Sequence, residues 1–298
     1  MPEFDTLRLE ANGLTFSALA AGDAREHRGL VMLLHGFPDT PHTFRNQLHA
    51  LADAGYRAVA PMMRGYEPES QPADRDYSLS ALATDVNGWL DQLDAATADL
   101  VGHDWGAAVA FVAGAQHPER FRTITAMAIP PLTRVPAAIA RVPRQLLRSW
   151  YWVWFQVPSV SDWSITVRER WLLQRLWRTW SPGLTLGDAD WETIRASFDQ
   201  PGVVSAALAY YRQNATPPIM LGIRKTPAMS TSIIPVPTLI INGSSDGCID
   251  RRMFEHTIHD ADFPAGVVHV ELPDTGHFLQ LEQQDKITQL LINHLGPQ

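Results

Sequence analysis

One aspartate lies in a turn whose residue types could do covalent chemistry. The turn is Gly102-His103-Asp104-Trp105-Gly106; an apolar run precedes it and a stretch of small residues follows it. This pattern predicts a sharp strand-turn-helix bend that exposes the central side chain above a sheet, and glycines suit it because the backbone approaches its neighbours closely. A carboxylate held there, next to a helix N-terminus, can attack an electrophilic carbon and form an ester. The alternative is that Asp104 only caps the following helix.

A second turn supplies hydrogen-bond donors for that chemistry. The sequence His35-Gly36-Phe37-Pro38 follows a fully apolar run at residues 30–34. The turn can aim the backbone N–H of Phe37 at the aspartate turn, and with the N–H of Trp105 it would form an oxyanion hole. His35 is interpreted as a structural residue that braces the turn, not as a catalytic one.

Two polar residues near the C-terminus complete the constellation. Asp246 follows a strand-like run at residues 238–241, and His277 follows another at residues 267–271. Active sites of sheet proteins of this kind collect at the edge where the strands end. We therefore predict a triad in chain order nucleophile, acid, histidine, with Asp104 as nucleophile, His277 as general base and Asp246 orienting the histidine.

Strand-like and helix-like stretches alternate in two parts of the chain. This alternation predicts a mostly parallel sheet with helices on both faces. The first two strands are joined by a hairpin turn at Asn12-Gly13. The expected strands are at residues 7–11, 15–20, 30–34, 57–60, 123–129, 238–241 and 267–271, with one more ending at 100–101, and the expected helices are at 42–54, 78–93, 107–116, about 251–259 and about 278–294.

The middle of the chain has a different character. Residues 131–225 predict helices and loops, and eight of the ten tryptophans lie there. We predict a core domain made of residues 1–130 and 226–298, with residues 131–225 inserted as a helical cap. An apolar cap lining would suit an apolar substrate. The tryptophans interpreted as cap core, not as substrate wall, are Trp150, Trp154, Trp163, Trp171, Trp177, Trp180 and Trp191.

Composition narrows the possible partners. The 298 residues include 45% hydrophobic residues, enough for a sizeable core, and the net charge of -8 argues against a nucleic-acid or anionic-membrane binder. The single cysteine, Cys248, cannot form an internal disulfide, and the first residues lack an apolar signal core. We expect a cytoplasmic protein without a membrane partner. The local basic stretch, interpreted as a solvated helix face, comprises Arg134, Arg141, Arg144 and Arg148.

Four motifs together resemble the α/β-hydrolase epoxide hydrolases. They are His-Gly-Phe-Pro at 35–38, Gly-His-Asp-Trp-Gly at 102–106, Gly-Ser-Ser-Asp at 243–246 and Gly-His-Phe at 276–278, so the likeness spans nearly the whole chain. The resemblance implies the α/β-hydrolase fold, with a mostly parallel eight-stranded sheet and an inserted helical cap. We also expect a small apolar epoxide and water as substrates, no cofactor and no metal, and a monomer or homodimer.

The resemblance further implies two cap tyrosines that hold the epoxide oxygen. Tyr151 precedes Phe-Gln-Val-Pro as a family tyrosine does, and Tyr211 lies in a stretch similar to the family's aromatic-Tyr-Arg-Asn, with Tyr210 as second choice. Tyrosine hydroxyls can donate to an oxygen whose C–O bond breaks. The alternative is that both tyrosines only pack the cap. Phe44 and Glu67 depart from the family's usual tryptophan and glycine at positions that carry no chemistry.

Other functions remain open at this point. A haloalkane dehalogenase would use the same Asp-His-Asp triad, with Trp105 and a cap tryptophan as halide donors. A fluoroacetate dehalogenase is disfavoured because Trp105 and Ala108 replace the arginines that would hold a carboxylate, and a serine esterase because no serine occupies the turn. A non-catalytic binding protein of the same fold typically lacks a triad member, whereas this chain retains all three.

Overall fold

Eight strands form one sheet in the computed structural model, which describes residues 4–25 and 27–295. The strands are β1 (Asp5–Ala11), β2 (Leu14–Ala21), β3 (Leu30–Leu34), β4 (Arg57–Pro61), β5 (Ala98–His103), β6 (Phe121–Met127), β7 (Thr238–Gly243) and β8 (Val267–Leu272). Their order is β1-β2-β4-β3-β5-β6-β7-β8. The β1–β2 and β2–β4 pairs are antiparallel and the other adjacent pairs are parallel, which confirms the predicted fold class.

Helices connect the strands and cover both faces of the sheet. The α-helices outside the middle segment are α1 (Arg45–Asp53), α2 (Leu79–Gln92), α3 (Trp105–Gln116), α12 (Arg252–Glu255), α13 (Leu279–Glu282) and α14 (Gln284–Leu295). The first predicted helix begins as a 3-10 turn at Pro41–Phe44, and the last one is divided in two at Gln283. The other short 3-10 turns are Pro68–Ser70, Pro118–Arg120, Leu132–Arg134, Arg168–Arg170, Pro227–Met229 and Asp260–Asp262.

Burial explains why the central strands read as continuous apolar runs. Every residue of β3, β4 and β5 is buried, as expected for parallel strands covered on both faces. Two apolar clusters form the core, one on each side of the sheet. One contains α2, α3 and the middle segment, and the other contains α1 and α14. The Ser78 hydroxyl caps α2 by accepting from the Ala81 N–H at 3.3 Å, which fixes where that helix begins.

Eight helices lie between β6 and β7, and we call them the inserted helices. They are α4 (Val135–Arg141), α5 (Arg144–Arg148), α6 (Trp150–Trp154), α7 (Val160–Thr166), α8 (Trp171–Trp180), α9 (Asp188–Phe198), α10 (Val203–Asn214) and α11 (Pro217–Met220). Within the described residues, no strand interrupts this segment. The Trp177 ring stacks on Phe278 with centroids 3.4 Å apart, so α8 is packed directly on the sheet domain's C-terminal loop. The division into a cap of residues 131–225 and a core stays a prediction.

The tryptophans of the inserted helices do not all belong to the core. Trp177 and Trp180 are buried and Trp191 is partly buried. The expectation was wrong for four others, because they lie on outward-facing helix surfaces and are 36% to 63% exposed: Trp150, Trp154, Trp163 and Trp171. Trp152 was not in the predicted set, and it lines an internal cavity.

No helix in the described part of the chain has both the length and the apolar character that crossing a bilayer requires.

Candidate active site

Asp104 occupies a strained backbone position between β5 and α3. Its φ of 51° and ψ of -119° lie outside the regions that ordinary residues prefer. Close approach enforces the bend: a Cβ on Gly106 would lie 2.1 Å from the Leu34 carbonyl oxygen, and a Cβ on Gly36 would lie 2.4 Å from the Asp104 Cβ. Strain of this kind persists only where the surroundings hold it. The bend predicted from the glycine spacing is therefore present.

The Asp104 carboxylate is held at one oxygen and lies near a histidine at the other. Its Oδ1 accepts a hydrogen bond of 2.8 Å from the Phe37 N–H. Its Oδ2 lies 3.6 Å from the His277 Nε2. Trp105 is the first residue of α3, so its N–H belongs to the turn whose amides have no partner inside the helix. Both predicted oxyanion-hole residues therefore flank the carboxylate.

Asp246 and His277 form the predicted acid-histidine pair. The Asp246 Oδ2 lies 2.9 Å from the His277 Nδ1. The other oxygen, Oδ1, accepts from the N–H groups of Cys248 at 2.6 Å and Ile249 at 2.9 Å, so the backbone aims the carboxylate at the ring. The His277 side chain is fully buried, and its Nε2 has no hydrogen-bond partner among the described residues. The structure thus brings Asp104, Asp246 and His277 together; their catalytic roles stay predictions.

Two carboxylates determine the charge of His277. Burial alone would lower the pKa of this imidazole, but the negative charges of Asp246 and Asp104 and the hydrogen bond to Asp246 outweigh burial and raise the pKa to about 10. His277 is therefore an imidazolium ion at neutral pH in this state. It can serve as a base only after one of the two negative charges has been removed.

The two other histidines near the site are neutral braces. The His35 Nδ1 lies 3.0 Å from the Gly36 carbonyl and its Nε2 accepts from the Met63 N–H at 3.0 Å, which is the bracing position predicted for it. The His103 Nε2 lies 2.9 Å from the His277 carbonyl oxygen. Burial lowers the pKa of His35 to about 4 and that of His103 to about 3. Both rings fix loop backbones near the site without adding charge.

Tyr151 and Tyr211 line the same cavity as Asp104 and Trp105. Their ring centroids are 5.7 Å apart, and burial raises the pKa of both phenols well above the usual value, so both hydroxyls keep their protons. Tyr210 lies elsewhere, since its hydroxyl donates to the Arg64 carbonyl at 2.7 Å. The geometry therefore favours Tyr211 over Tyr210.

The rest of the cavity wall is almost entirely apolar. Phe37, predicted to contact substrate, contributes no lining side chain; its buried ring packs on Tyr211 at 5.3 Å. The polar lining residues Gln145 and Asn214 already bond to backbone and side-chain partners. The apolar lining residues are Leu79, Ala108, Ile129, Pro130, Leu132, Val135, Pro136, Trp152, Ala215, Ile219, Met220, Met229, Ile249 and Met253.

Sequence reasoning missed two residues that support the site. The Cys248 Sγ lies 3.1 Å from the Tyr151 hydroxyl. The Trp180 carbonyl accepts hydrogen bonds from the N–H groups of both Gly247, at 3.0 Å, and His277, at 3.1 Å. The sequence signal that could have identified Cys248 is its position two residues after Asp246, a predicted member of the triad. Nothing local to Trp180 could have revealed its bonds, because they join distant parts of the chain.

One group of side chains has the types and proximity for a metal ion. Within the described residues, only the ligand atoms of Asp246, Cys248 and His277 form such a group, all within 4.8 Å of one another. Asp246 and His277 are bonded to each other. Burial and the nearby charge of Asp246 raise the pKa of the Cys248 thiol, so it retains the proton that a metal would have to displace. The expectation of a metal-free site stays a prediction.

Known proteins match the chain over most of its length. A family profile described as alpha/beta hydrolase fold matches residues 29–159. An epoxide hydrolase from Caballeronia sordidicola is 32% identical over 296 residues, covering 89% of this chain and 87% of that protein. Epoxide hydrolase 4 from Homo sapiens is 30% identical over 292 residues, covering 96% and 76%. The solved structure of epoxide hydrolase A from Mycobacterium thermoresistibile has a TM-score of 0.78 at 25% identity, covering 98% of each chain. The chain is therefore an enzyme of the α/β-hydrolase-fold epoxide hydrolase family.

Proposed function

We propose that this enzyme opens an epoxide to a vicinal diol through a covalent ester on Asp104. The observation that carries the proposal is the shared cavity, which Asp104, Tyr151 and Tyr211 all line. A nucleophile and two protonated donors are what epoxide opening requires. The names of the similar enzymes agree with this chemistry.

The first step forms the ester. The Asp104 Oδ1 is bound by the Phe37 N–H, so Oδ2 is the free oxygen that attacks an epoxide carbon. As the C–O bond of the ring breaks, the leaving alkoxide receives a hydrogen bond and then a proton from Tyr151 or Tyr211. Oδ1 becomes the ester carbonyl oxygen, which the Phe37 N–H already binds and which the N–H of Trp105, at the start of α3, is proposed to stabilise as well.

The second step hydrolyses the ester. Alkylation removes the charge of Asp104, so one cause of the raised pKa of His277 disappears and the ring can release its proton to the tyrosinate. The neutral Nε2 then takes a proton from water, which attacks the ester carbonyl carbon. The oxyanion is stabilised by the N–H groups of Phe37 and Trp105. Collapse expels the diol oxygen, which takes the proton from His277 and leaves Asp104 as the carboxylic acid. Transfer of that acid proton to the neutral His277 restores the starting carboxylate and imidazolium.

The inserted helices contribute the donors and the sheet domain contributes the triad. We assign residues 131–225 as a cap over a core of residues 1–130 and 226–298. The substrate is a small epoxide with an apolar remainder, because the polar groups of Gln145 and Asn214 are already satisfied and offer little to a polar substituent.

A single turnover in water labelled with heavy oxygen tests the covalent route. The label should enter the Asp104 carboxylate, detected by peptide mass spectrometry, and the first diol released should be unlabelled. Label in that first diol would show direct attack by water on the epoxide and would refute the ester. A reaction with unlabelled water in parallel gives the baseline masses.

A haloalkane dehalogenase is the second candidate function. The indole N–H of Trp105 is buried at the cavity, close enough to influence the Tyr211 hydroxyl, but it makes no hydrogen bond to any described residue. Such a donor could hold a leaving halide. Parallel assays of diol from an alkyl epoxide and of bromide from the matching bromoalkane separate the two functions. Faster bromide release than diol formation would favour dehalogenation.

A further inference from the structure

The outer surface of α5, α6 and α7 exposes an unusual run of apolar side chains. Leu147 is 78% exposed, Val153 60% and Trp163 63%. Single exposed apolar residues are normal, but a contiguous set marks an interaction site. The exposed members follow one another at spacings of one or three residues along one short stretch of chain: Leu146, Leu147, Trp150, Val153, Trp154, Val157, Val160 and Trp163.

The same region is strongly basic in an acidic protein. Residues 132–180 contain eight arginines and two acidic residues, a net charge of +6 in a chain whose total is -8. Three of these arginines, Arg134, Arg148 and Arg170, lie in ion pairs with acidic residues outside this stretch. Arg144, Arg148 and Arg175 line one shallow groove together with Leu147 and Trp150. Among the ion pairs of the described residues, none engages Arg144 or Arg175. We call the apolar run, together with Arg144, Arg148 and Arg175, the basic-apolar face.

The basic-apolar face lies on the outside of a cavity wall. Gln145, Tyr151 and Trp152, from the same two helices, line the substrate cavity. Leu147, Trp150 and Val153 point outward from α5 and α6. If this face contacted an apolar layer, a substrate dissolved in that layer would therefore be close to the cavity.

We infer that the basic-apolar face docks on the surface of an anionic lipid bilayer. Tryptophans and aliphatic side chains favour the interfacial zone, and arginines favour anionic head groups. A second copy of this chain fits less well, because a two-fold contact would place the same arginines against each other. This proposal departs from the expectation of no membrane partner, which was based on the total charge of -8. Charges are screened beyond about 8 Å at physiological salt, so a local excess of arginines governs docking.

Vesicle sedimentation tests the inference independently of catalysis. The full chain is mixed with vesicles of phosphatidylcholine alone, or of phosphatidylcholine with an equal amount of phosphatidylglycerol. We expect binding to the mixed vesicles, weaker binding as salt is raised, and little binding to phosphatidylcholine alone. Absence of binding to mixed vesicles at low salt would overturn the proposal.

Two pairs of matched variants locate the contact. Arg144→Gln with Arg175→Gln should weaken binding by roughly 25-fold, since each basic residue near an anionic surface contributes about fivefold. Arg25→Gln with Lys286→Gln removes the same charge from exposed positions outside the inserted helices and should change binding less than about twofold. Leu147→Ser with Trp163→Ser should also weaken binding, whereas Val268→Ser, at a 56% exposed site on β8, should not.

Controls distinguish the other outcomes. Circular dichroism must show that every variant is folded. Equal losses in the face and control variants would mean unspecific attraction and would refute a defined docking face. Sedimentation equilibrium showing a dimer that Leu147→Ser with Trp163→Ser dissociates would assign the face to self-association instead. Since none of these measurements uses an epoxide, their outcome does not depend on the proposed reaction.

Discussion

The two sides of the cavity hold their functional groups by different means. On the sheet side, Asp104 is fixed by a strained backbone and by the Phe37 N–H, and Asp246 by two backbone N–H groups. On the side of the inserted helices, Tyr151 and Tyr211 are held by ring packing and, for Tyr151, by the thiol of Cys248. The groups proposed to form and break the ester are therefore fixed by the main chain, whereas the tyrosines proposed to hold the epoxide oxygen depend on side-chain packing.

The largest expected effect is at His277. His277→Gln removes the base, so we expect turnover to fall by on the order of 10⁶-fold, as for a triad histidine. Ester formation should survive, because it depends on Asp104 and the tyrosines. Intact-protein mass spectrometry should therefore show the mass of the epoxide added to the chain. Near wild-type turnover in this variant would show that His277 is not the base.

A smaller loss is expected at Asp246. In Asp246→Asn, the amide oxygen can still accept from Cys248 and Ile249, which turns the NH₂ group toward the His277 Nδ1. The ring is then held with its proton on Nε2 and cannot accept one from water. We expect a loss of on the order of 10⁴-fold, confined to ester hydrolysis and measured by single-turnover decay of the ester. A defect in ester formation alone would contradict the assignment.

Loss of the hydroxyls of Tyr151 and Tyr211 should slow the other half-reaction, which is ester formation. Tyr151→Phe with Tyr211→Phe should slow ester formation by at least about 10²-fold, the typical loss for one donor to a developing oxyanion, and leave hydrolysis unchanged. Pre-steady-state burst kinetics locates the defect. Tyr210→Phe is the matched control, since this hydroxyl bonds the Arg64 carbonyl away from the cavity. If the control loses more than the double variant, Tyr210 has the role assigned to Tyr211.

A modest effect is expected at Cys248. Cys248→Ala removes the polar neighbour of the Tyr151 hydroxyl, and we expect ester formation to slow by between about 2- and 10-fold, the range of one neutral hydrogen bond. Cys248→Ser keeps a polar partner and should lose less. Equal rates for the alanine variant and the wild type would show that ring packing alone holds Tyr151.

The smallest effect concerns stability against pH. The pKa of His277, about 10 here and about 6.5 in the unfolded chain, means that its imidazolium stabilises the fold fully below pH 6.5. This contribution is lost as the pH rises toward 10. Asp104→Asn removes one charge that raises the pKa in the folded state. The contribution of His277 should therefore be smaller in this variant, and its loss, which begins near pH 6.5 in both proteins, should be complete at a lower pH. Melting temperatures of both proteins from pH 6 to 10 check this; identical profiles would contradict the coupling.

The two sides also differ in how far sequence predicts them. Asp104, Asp246 and His277 each follow a strand end, and local glycines and turns signal where the chain bends. The hairpin at Asn12-Gly13 and the bracing role of His35 follow from similarly local patterns. Tyr151 and Tyr211 were accessible only through resemblance to known enzymes, because helix periodicity does not say which face of an inserted helix meets the sheet.

Long-range contacts account for what sequence reasoning missed. The bond between Cys248 and Tyr151 joins residues 97 positions apart, and four tryptophans predicted to be core are exposed. Apolar residue type alone cannot separate a buried tryptophan from an exposed one when the covering partner lies far away in the chain. The basic stretch that contains Arg144 and Arg148 was visible in the sequence, but Arg175 joins these two arginines at one groove only in the folded chain.

The carbonyl of Trp180 limits how the cavity can open. One oxygen at the end of α8 receives the N–H groups of Gly247 and His277, so α8 is tied to the loops of both the acid and the histidine. Swinging α8 outward would pull the proposed base away from Asp104. A route for substrate that preserves the triad must instead use relative motion of other inserted helices, such as α4 and α11, whose Val135, Pro136 and Ile219 line the cavity. We therefore expect α8 to stay in place while substrate enters, and another part of the inserted helices to move.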